Sequence, residues 1–108
     1  MKKLGLLFLL MLIVGTANAQ SKLDKQEIIQ RMDQQVKDWN NGDLNAFMQS
    51  YWESDSLMFV GKSGVTYGYK NTLNNYLKRY PSREAMGTLA FNYIRLTFTA
   101  KGVAFMIG

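Results

Sequence analysis

The sequence predicts an α+β fold, with helices laid on one side of a mostly antiparallel sheet. Three observations predict it. Residues 39–52 (WNNGDLNAFMQSYW) spell a tight corner between two amphipathic helical runs. Two short apolar runs flank the glycine-rich turn Gly61-Lys62-Ser63-Gly64, as in a hairpin. A third helical pattern is then followed by a long apolar stretch over 88–100 and one further run, Val103–Ile107. The order is helix, helix, strand, strand, helix, long strand, strand.

The first helix runs from Ser21, with Leu23, Ile28, Ile29, Met32, Val36 and Trp39 on one side and Lys25, Gln30, Asp33, Gln34 and Lys37 on the other. Asn40-Asn41-Gly42 supplies a left-handed stop, and Asp43 is placed to cap the next helix. Leu44, Phe47, Met48, Tyr51 and Trp52 follow at i, i+3, i+4, i+7 and i+8, so the second helix should end within 50–54. Leu57-Met58-Phe59-Val60 and Val65-Thr66-Tyr67 make the hairpin strands. Gly68 releases the chain into a third helix whose apolar face is Leu73, Tyr76, Leu77 and Tyr80, and Pro81 stops it. A loop through Met86-Gly87 leads into the long strand over 88–100, which has apolar residues on both faces and should therefore curve. Lys101-Gly102 turns it into the last strand.

The two ends bound the domain. Lys2-Lys3, the apolar stretch 4–14 and the small-x-small triplet Ala17-Asn18-Ala19 before Gln20 have the pattern of a secretory signal peptide. Residues 1–19 are thus expected to be removed, leaving one domain over 20–108 in a periplasmic or secreted protein. Removing them takes away Lys2 and Lys3 and no acid, which lowers the formal charge from +5 to +3. So mild a balance argues against nucleic acid, and no membrane association is expected after cleavage. Lys78, Arg79 and Arg83 form a local basic cluster, for which the dipole at a helix C-terminus is sufficient reason. The last run is an apolar strand with no turn or cap after it, so the domain is expected to be incomplete at its C-terminus.

Several of these residues also carry a resemblance. The W-N-x-G-D-L corner (Trp39 to Leu44), the Y-W-x-x-D stretch (Tyr51 to Asp55), Phe59, Gly68 opening the third helix, Tyr80-Pro81 and Met86-Gly87 resemble, in this order, the nuclear-transport-factor-2-like superfamily. The likeness is strongest to small bacterial SnoaL-like domains of unassigned function. It covers essentially all of 20–108. It implies a cystatin-like cone, in which three N-terminal helices pack on a curved, mostly antiparallel sheet around an apolar pocket. It also implies further strands beyond Gly108 and a homodimer of the whole protein.

Chemistry is less legible than fold. Ketosteroid isomerases of that superfamily use an aspartate base and a tyrosine with a protonated acid. The resemblance puts the base position at or beside Val60, which takes no proton, and the tyrosine position near Gln35. The acid of SnoaL-type cyclases would lie beyond Gly108. The chain has neither histidine nor cysteine, so no metal and no cofactor is expected, and no disulfide can form. Gly61-Lys62-Ser63 lacks the rest of a phosphate-binding loop, since Ser56 stands where the first glycine belongs and a strand follows.

The candidate ligand-binding residues are Tyr51, Trp52, Asp55, Phe59, Tyr76, Tyr93 and Arg95. Rings with a few hydroxyls suit flat organic molecules, although most such rings simply fill cores. Asp55 suits a base or a ligand-orienting carboxylate, or else a turn residue satisfied by local backbone bonds. Arg95 suits a ligand carboxylate or phosphate, or else an outer sheet face that pairs across a dimer. The leading expectation is an exported domain binding a small aromatic or apolar molecule. The alternatives are an isomerase, cyclase or hydrolase with its key acid in a further C-terminal part, and a structural oligomerisation module.

Overall fold

The corner forms as its chemistry dictates. In the computed structural model, which describes residues 2–108 and side chains from Gln20 onward, α1 (Lys2–Asn40) stops at Gly42. Gly42 has φ +79°, and a Cβ there would lie 3.2 Å from the Arg83 side chain. Only glycine meets both conditions without strain. Asp43 then accepts a hydrogen bond from the Ala46 amide at 3.0 Å and opens α2 (Leu44–Met48).

The other elements are β1 (Met58–Gly61), β2 (Gly64–Tyr67), α3 (Tyr69–Arg79), α4 (Arg83–Met86), β3 (Arg95–Ala100) and β4 (Val103–Ile107). The chain divides into two compact units, Met1–Gln30 and Arg31–Gly108. The described part of the first is helix, where the Gln20 amide donates to Asp24 one turn on. The expected cleavage site at Ala17-Asn18-Ala19 lies outside the residues whose side chains are described.

β1 and β2 pair antiparallel as a hairpin turning at Lys62-Ser63, with Phe59 opposite Thr66. β3 and β4 form a second hairpin, Arg95 opposite Ile107, with a bulge between Phe98 and Ala100. The strands therefore make two separate two-stranded sheets among the described residues, where a single curved sheet is expected from the sequence. The α+β class stands; the continuity of the sheet does not.

Three elements differ from expectation, each for a physical reason. The strand expected over 88–100 covers only Arg95–Ala100, because no neighbouring strand bonds the backbone of 88–93. That segment is held by side chains instead, through Asn40 at Leu89 and Asp33 at Tyr93. The expected loop after Pro81 contains α4, started by the Ser82 hydroxyl accepting from the Ala85 amide. Finally, α2 ends at Met48 rather than beyond Ser50. Tyr51 and Trp52 thus leave the helical face, and Trp52 stands 64% exposed.

The core is small and aromatic. Trp39, Leu44, Phe47, Met48 and Met86 are buried, with Tyr51, Tyr69, Leu73, Tyr76, Tyr80 and Leu89 packed around them. Trp39 sits at the centre, edge-to-face with Phe47, Tyr76 and Tyr80 at ring separations of 5.1, 5.7 and 5.0 Å. Its indole N–H donates to the Met86 carbonyl. On α3 the inward residues are Thr72, Leu73, Tyr76 and Tyr80, while Leu77 faces out; the Thr72 hydroxyl is satisfied by the Gly68 carbonyl at 2.8 Å.

Candidate functional site

The hairpin β1–β2 lies against α3, and their facing side chains leave a cleft. Phe59 and Thr66 project from the strands, Lys62 and Ser63 come from the turn, and Thr72, Asn75, Tyr76, Arg79 and Tyr80 come from one side of α3. The space is about 200 Å³. That is below the ~300–1,000 Å³ of drug-sized sites, so it suits a single ring with a small head group.

Its floor is aromatic. Phe59 meets Tyr76 edge-to-face at 5.7 Å, and Tyr80 stacks on Tyr76 at 6.1 Å. Its rim is polar. Arg79 donates from Nη2 to the Ser63 Oγ at 2.8 Å, bridging helix and turn, and Asn75 reaches the Thr66 hydroxyl at 3.4 Å. Neither carboxylate nor imidazole lines the cleft.

Beneath it lies a tyrosine pair. Tyr51 and Tyr76 share a hydrogen bond, Gln35 also bonds the Tyr51 hydroxyl, and the buried Gln35 amide donates to the Phe47 carbonyl at 3.3 Å. Burial pushes the Tyr51 phenol above its ordinary range, and the hydrogen bonds from Tyr76 and Gln35 oppose that. Burial raises Tyr76 strongly, its neighbours Tyr51 and Tyr80 add to the effect, and the positive charge of Arg79 works against it. Both phenols are therefore neutral at physiological pH. They offer hydrogen bonds rather than a base.

A second, more open groove runs between α1 and the extended segment, lined by Asp33, Val36, Lys37, Ala90, Phe91 and Tyr93. Here the Tyr93 hydroxyl donates to Asp33 Oδ1 at 2.5 Å. Partial burial, that hydrogen bond and the Asp33 charge push the Tyr93 phenol up to about 12 from its usual 10.0. Because the folded value is the higher one, the contact stabilises fully below pH ~10 and is lost as pH rises through ~12. A phenolate absorbance titration should show a late tyrosine near pH 12 that moves earlier in Asp33→Asn. An unchanged curve in that variant would show that the carboxylate does not hold the phenol.

Of the residues expected from sequence, Phe59 and Tyr76 line the cleft, and Tyr51 packs behind them, 6.3 Å from Phe59. Tyr93 belongs to the other groove. Asp55 is exposed in the turn before β1, where the Ser54 hydroxyl, not the Asp55 carboxylate, accepts the Ser56 amide. Trp52 is exposed, and Arg95 is exposed on β3 opposite Ile107; neither lines cleft or groove. The polar rim of Lys62, Ser63, Asn75 and Arg79 escapes the sequence reading. Its signal was present in the turn 61–64 and the basic pair Lys78-Arg79, but nothing local shows that these meet across sixteen positions. Among the described residues no three His, Cys, Asp or Glu side chains cluster closely enough to hold a metal ion.

No protein-family model matches the chain, and no curated protein matches it. A solved structure does: an NTF-2 like protein of unknown function from Shewanella oneidensis MR-1, with 34% sequence identity and a TM-score of 0.68. The similarity covers 71% of this chain and 64% of that one, so this chain spans somewhat under two thirds of that protein.

Proposed function

Because this chain belongs to the NTF-2-like superfamily, we propose that it is an exported domain, of the SnoaL-like kind, that binds a small aromatic molecule in the cleft between β1–β2 and α3. The observation that carries this reading is a ring-floored hollow of single-ring size with hydroxyl, amide and cationic groups around its mouth. Apolar walls supply affinity and a few placed polar groups supply orientation. The cleft is more polar at its rim than the apolar pocket expected from the resemblance. Export rests on the leader pattern of Lys2-Lys3, the apolar 4–14 and Ala17-Asn18-Ala19, and implies a periplasmic or secreted location. The superfamily resemblance supports a homodimer of the whole protein, and the exposed apolar side chains of Ile94, Val103 and Phe105 are suited to its face.

Binding is preferred over catalysis for a specific reason. The lining groups are two phenols, of which burial raises Tyr76, together with hydroxyls, one amide and the side chains of Lys62 and Arg79. None of these is a ready base at neutral pH. A screen of monocyclic aromatic compounds by thermal shift, with hits located by NMR, tests the reading. Hits should raise the melting temperature and shift resonances of Phe59, Tyr76 and Tyr80. Thr66→Phe, which fills the hollow from β2, should abolish both effects. Failure of the whole panel, or shifts confined to other surfaces, would sink the reading.

A further inference from the structure

We infer that the ligand class of this cleft is a monoanionic aromatic carboxylate, seated ring-down on Phe59, Tyr76 and Tyr80 with its carboxylate between Arg79 and Lys62. The inference rests on the binding site proposed above and adds the charge and shape of its occupant.

Four observations carry it. Two basic side chains, Lys62 and Arg79, line the cleft and no carboxylate does, so their charge has no counterpart inside. Arg79 is at the last turn of α3, yet its guanidinium does not fold back onto the helix-end carbonyls; it crosses to the hairpin and donates to Ser63 Oγ. One Nη2 bond engages a single member of a five-donor fork, which leaves paired N–H groups for a carboxylate. The turn that carries Lys62 and Ser63 is closed by the Gly61–Gly64 pair, so the second cation and the anchoring hydroxyl come from adjacent residues of one two-residue turn.

The head group's charge follows from the same geometry. The C-terminal end of α3 carries a partial negative charge of roughly half a unit, which penalises a dianion more than a monoanion. A phosphate ester thus fits this site less well than a carboxylate. The volume, about 200 Å³, favours a single ring with its head group over larger polycyclic or long-chain acids. The ring floor, in turn, discriminates against small aliphatic acids, which cover little of it.

Calorimetric titration of the whole chain with benzoate, benzamide and inorganic phosphate tests this, in the native sequence and in Arg79→Gln. Benzoate should bind at least about tenfold more tightly than benzamide, the difference expected of a charge-assisted pair. It should also outbind phosphate and weaken with added salt. In Arg79→Gln the benzoate-to-benzamide ratio should fall towards one, with a melting temperature close to the native value because only the exposed Ser63 bond is lost. Equal affinities for benzoate and benzamide, with a ratio unmoved by Arg79→Gln, would overturn the charge assignment while leaving aromatic binding intact. Phosphate matching benzoate would overturn the aromatic part. If benzoate fails to bind while other compounds in the thermal-shift panel do, the ligand class is wrong; if nothing binds, the site itself is.

Discussion

Trp39→Ala should remove about 3–5 kcal/mol of stability, enough to unfold much of a domain this small. Two costs combine. The ring is 7% exposed at the centre of the core and makes edge-to-face contacts with Phe47, Tyr76 and Tyr80. Each such contact contributes about 0.5–1.5 kcal/mol beyond the area it buries. Deleting the indole also leaves the Met86 carbonyl without its donor, at the point where α4 closes over the corner. The measurement is urea unfolding followed by far-UV circular dichroism. A midpoint lowered by about 2 M or more, or no cooperative transition at all, is the expected result. Trp39→Phe keeps an aromatic ring at the centre but loses the N–H and part of the indole's bulk, so it should cost less than Trp39→Ala. Trp52→Ala is the control: at 64% exposure it should change stability by about 0.5 kcal/mol or less. A near-neutral Trp39→Ala would mean that the core is not organised around this ring.

The two tryptophans also show what the sequence can and cannot convey. Each lies on an apolar pattern at helical spacing, Trp39 on the first helix and Trp52 on the expected second, and pattern alone treats them alike. What separates them is where α2 stops. A five-residue helix ends before Tyr51, so Trp52 is carried outward by a chain that no longer has helical period. The corner itself is legible because its causes are local. Gly42 takes a left-handed backbone and Asp43 caps within three residues. The hairpin at Lys62-Ser63 is legible for the same reason, and Phe59 and Tyr76 follow from its first strand and from the helix after its second.

Non-local pairing is where the reading departs from the structure. An apolar run over 88–100 has the propensity of one long strand, but a strand also requires a partner, and only Arg95–Ala100 has one. The face of α3 is likewise displaced by the hairpin that packs on it, burying Thr72 and exposing Leu77. In the cleft, the aromatic floor is foreseeable from ring spacing. The polar rim depends on Arg79 crossing to Ser63, a contact no window of sequence contains. The basic pair Lys78-Arg79 has a sufficient local explanation in the helix dipole, and that sufficiency hides its second use.

Asn40→Ala should cost about 2–4 kcal/mol, a large effect for a half-buried polar residue. Its side chain acts as a substitute strand for the segment that has none: Nδ2 donates to the Leu89 carbonyl at 3.1 Å, and Oδ1 accepts the Leu89 amide at 2.8 Å. Truncation leaves both Leu89 backbone groups unpaired against the core, each at about 1–3 kcal/mol before relaxation. The backbone carbonyl of Asn40 accepts from Arg83 Nε while Arg83 Nη1 donates to Gly87, so the corner is tied to 87–89 from two directions. Arg83 survives the substitution, which is why the loss should fall short of unfolding. The discriminating measurement is amide hydrogen exchange. Leu89 should lose protection in Asn40→Ala by more than the global loss of stability accounts for, because its acceptor is gone. Asn40→Asp sharpens the test. When ionised it keeps the acceptor but sets a carboxylate against the Leu89 carbonyl; when protonated it regains a donor in the amide's place. That variant should therefore recover stability relative to the native chain as pH falls through its carboxyl titration. If Leu89 exchanges equally slowly in all three proteins, the segment 88–94 is held by something other than Asn40.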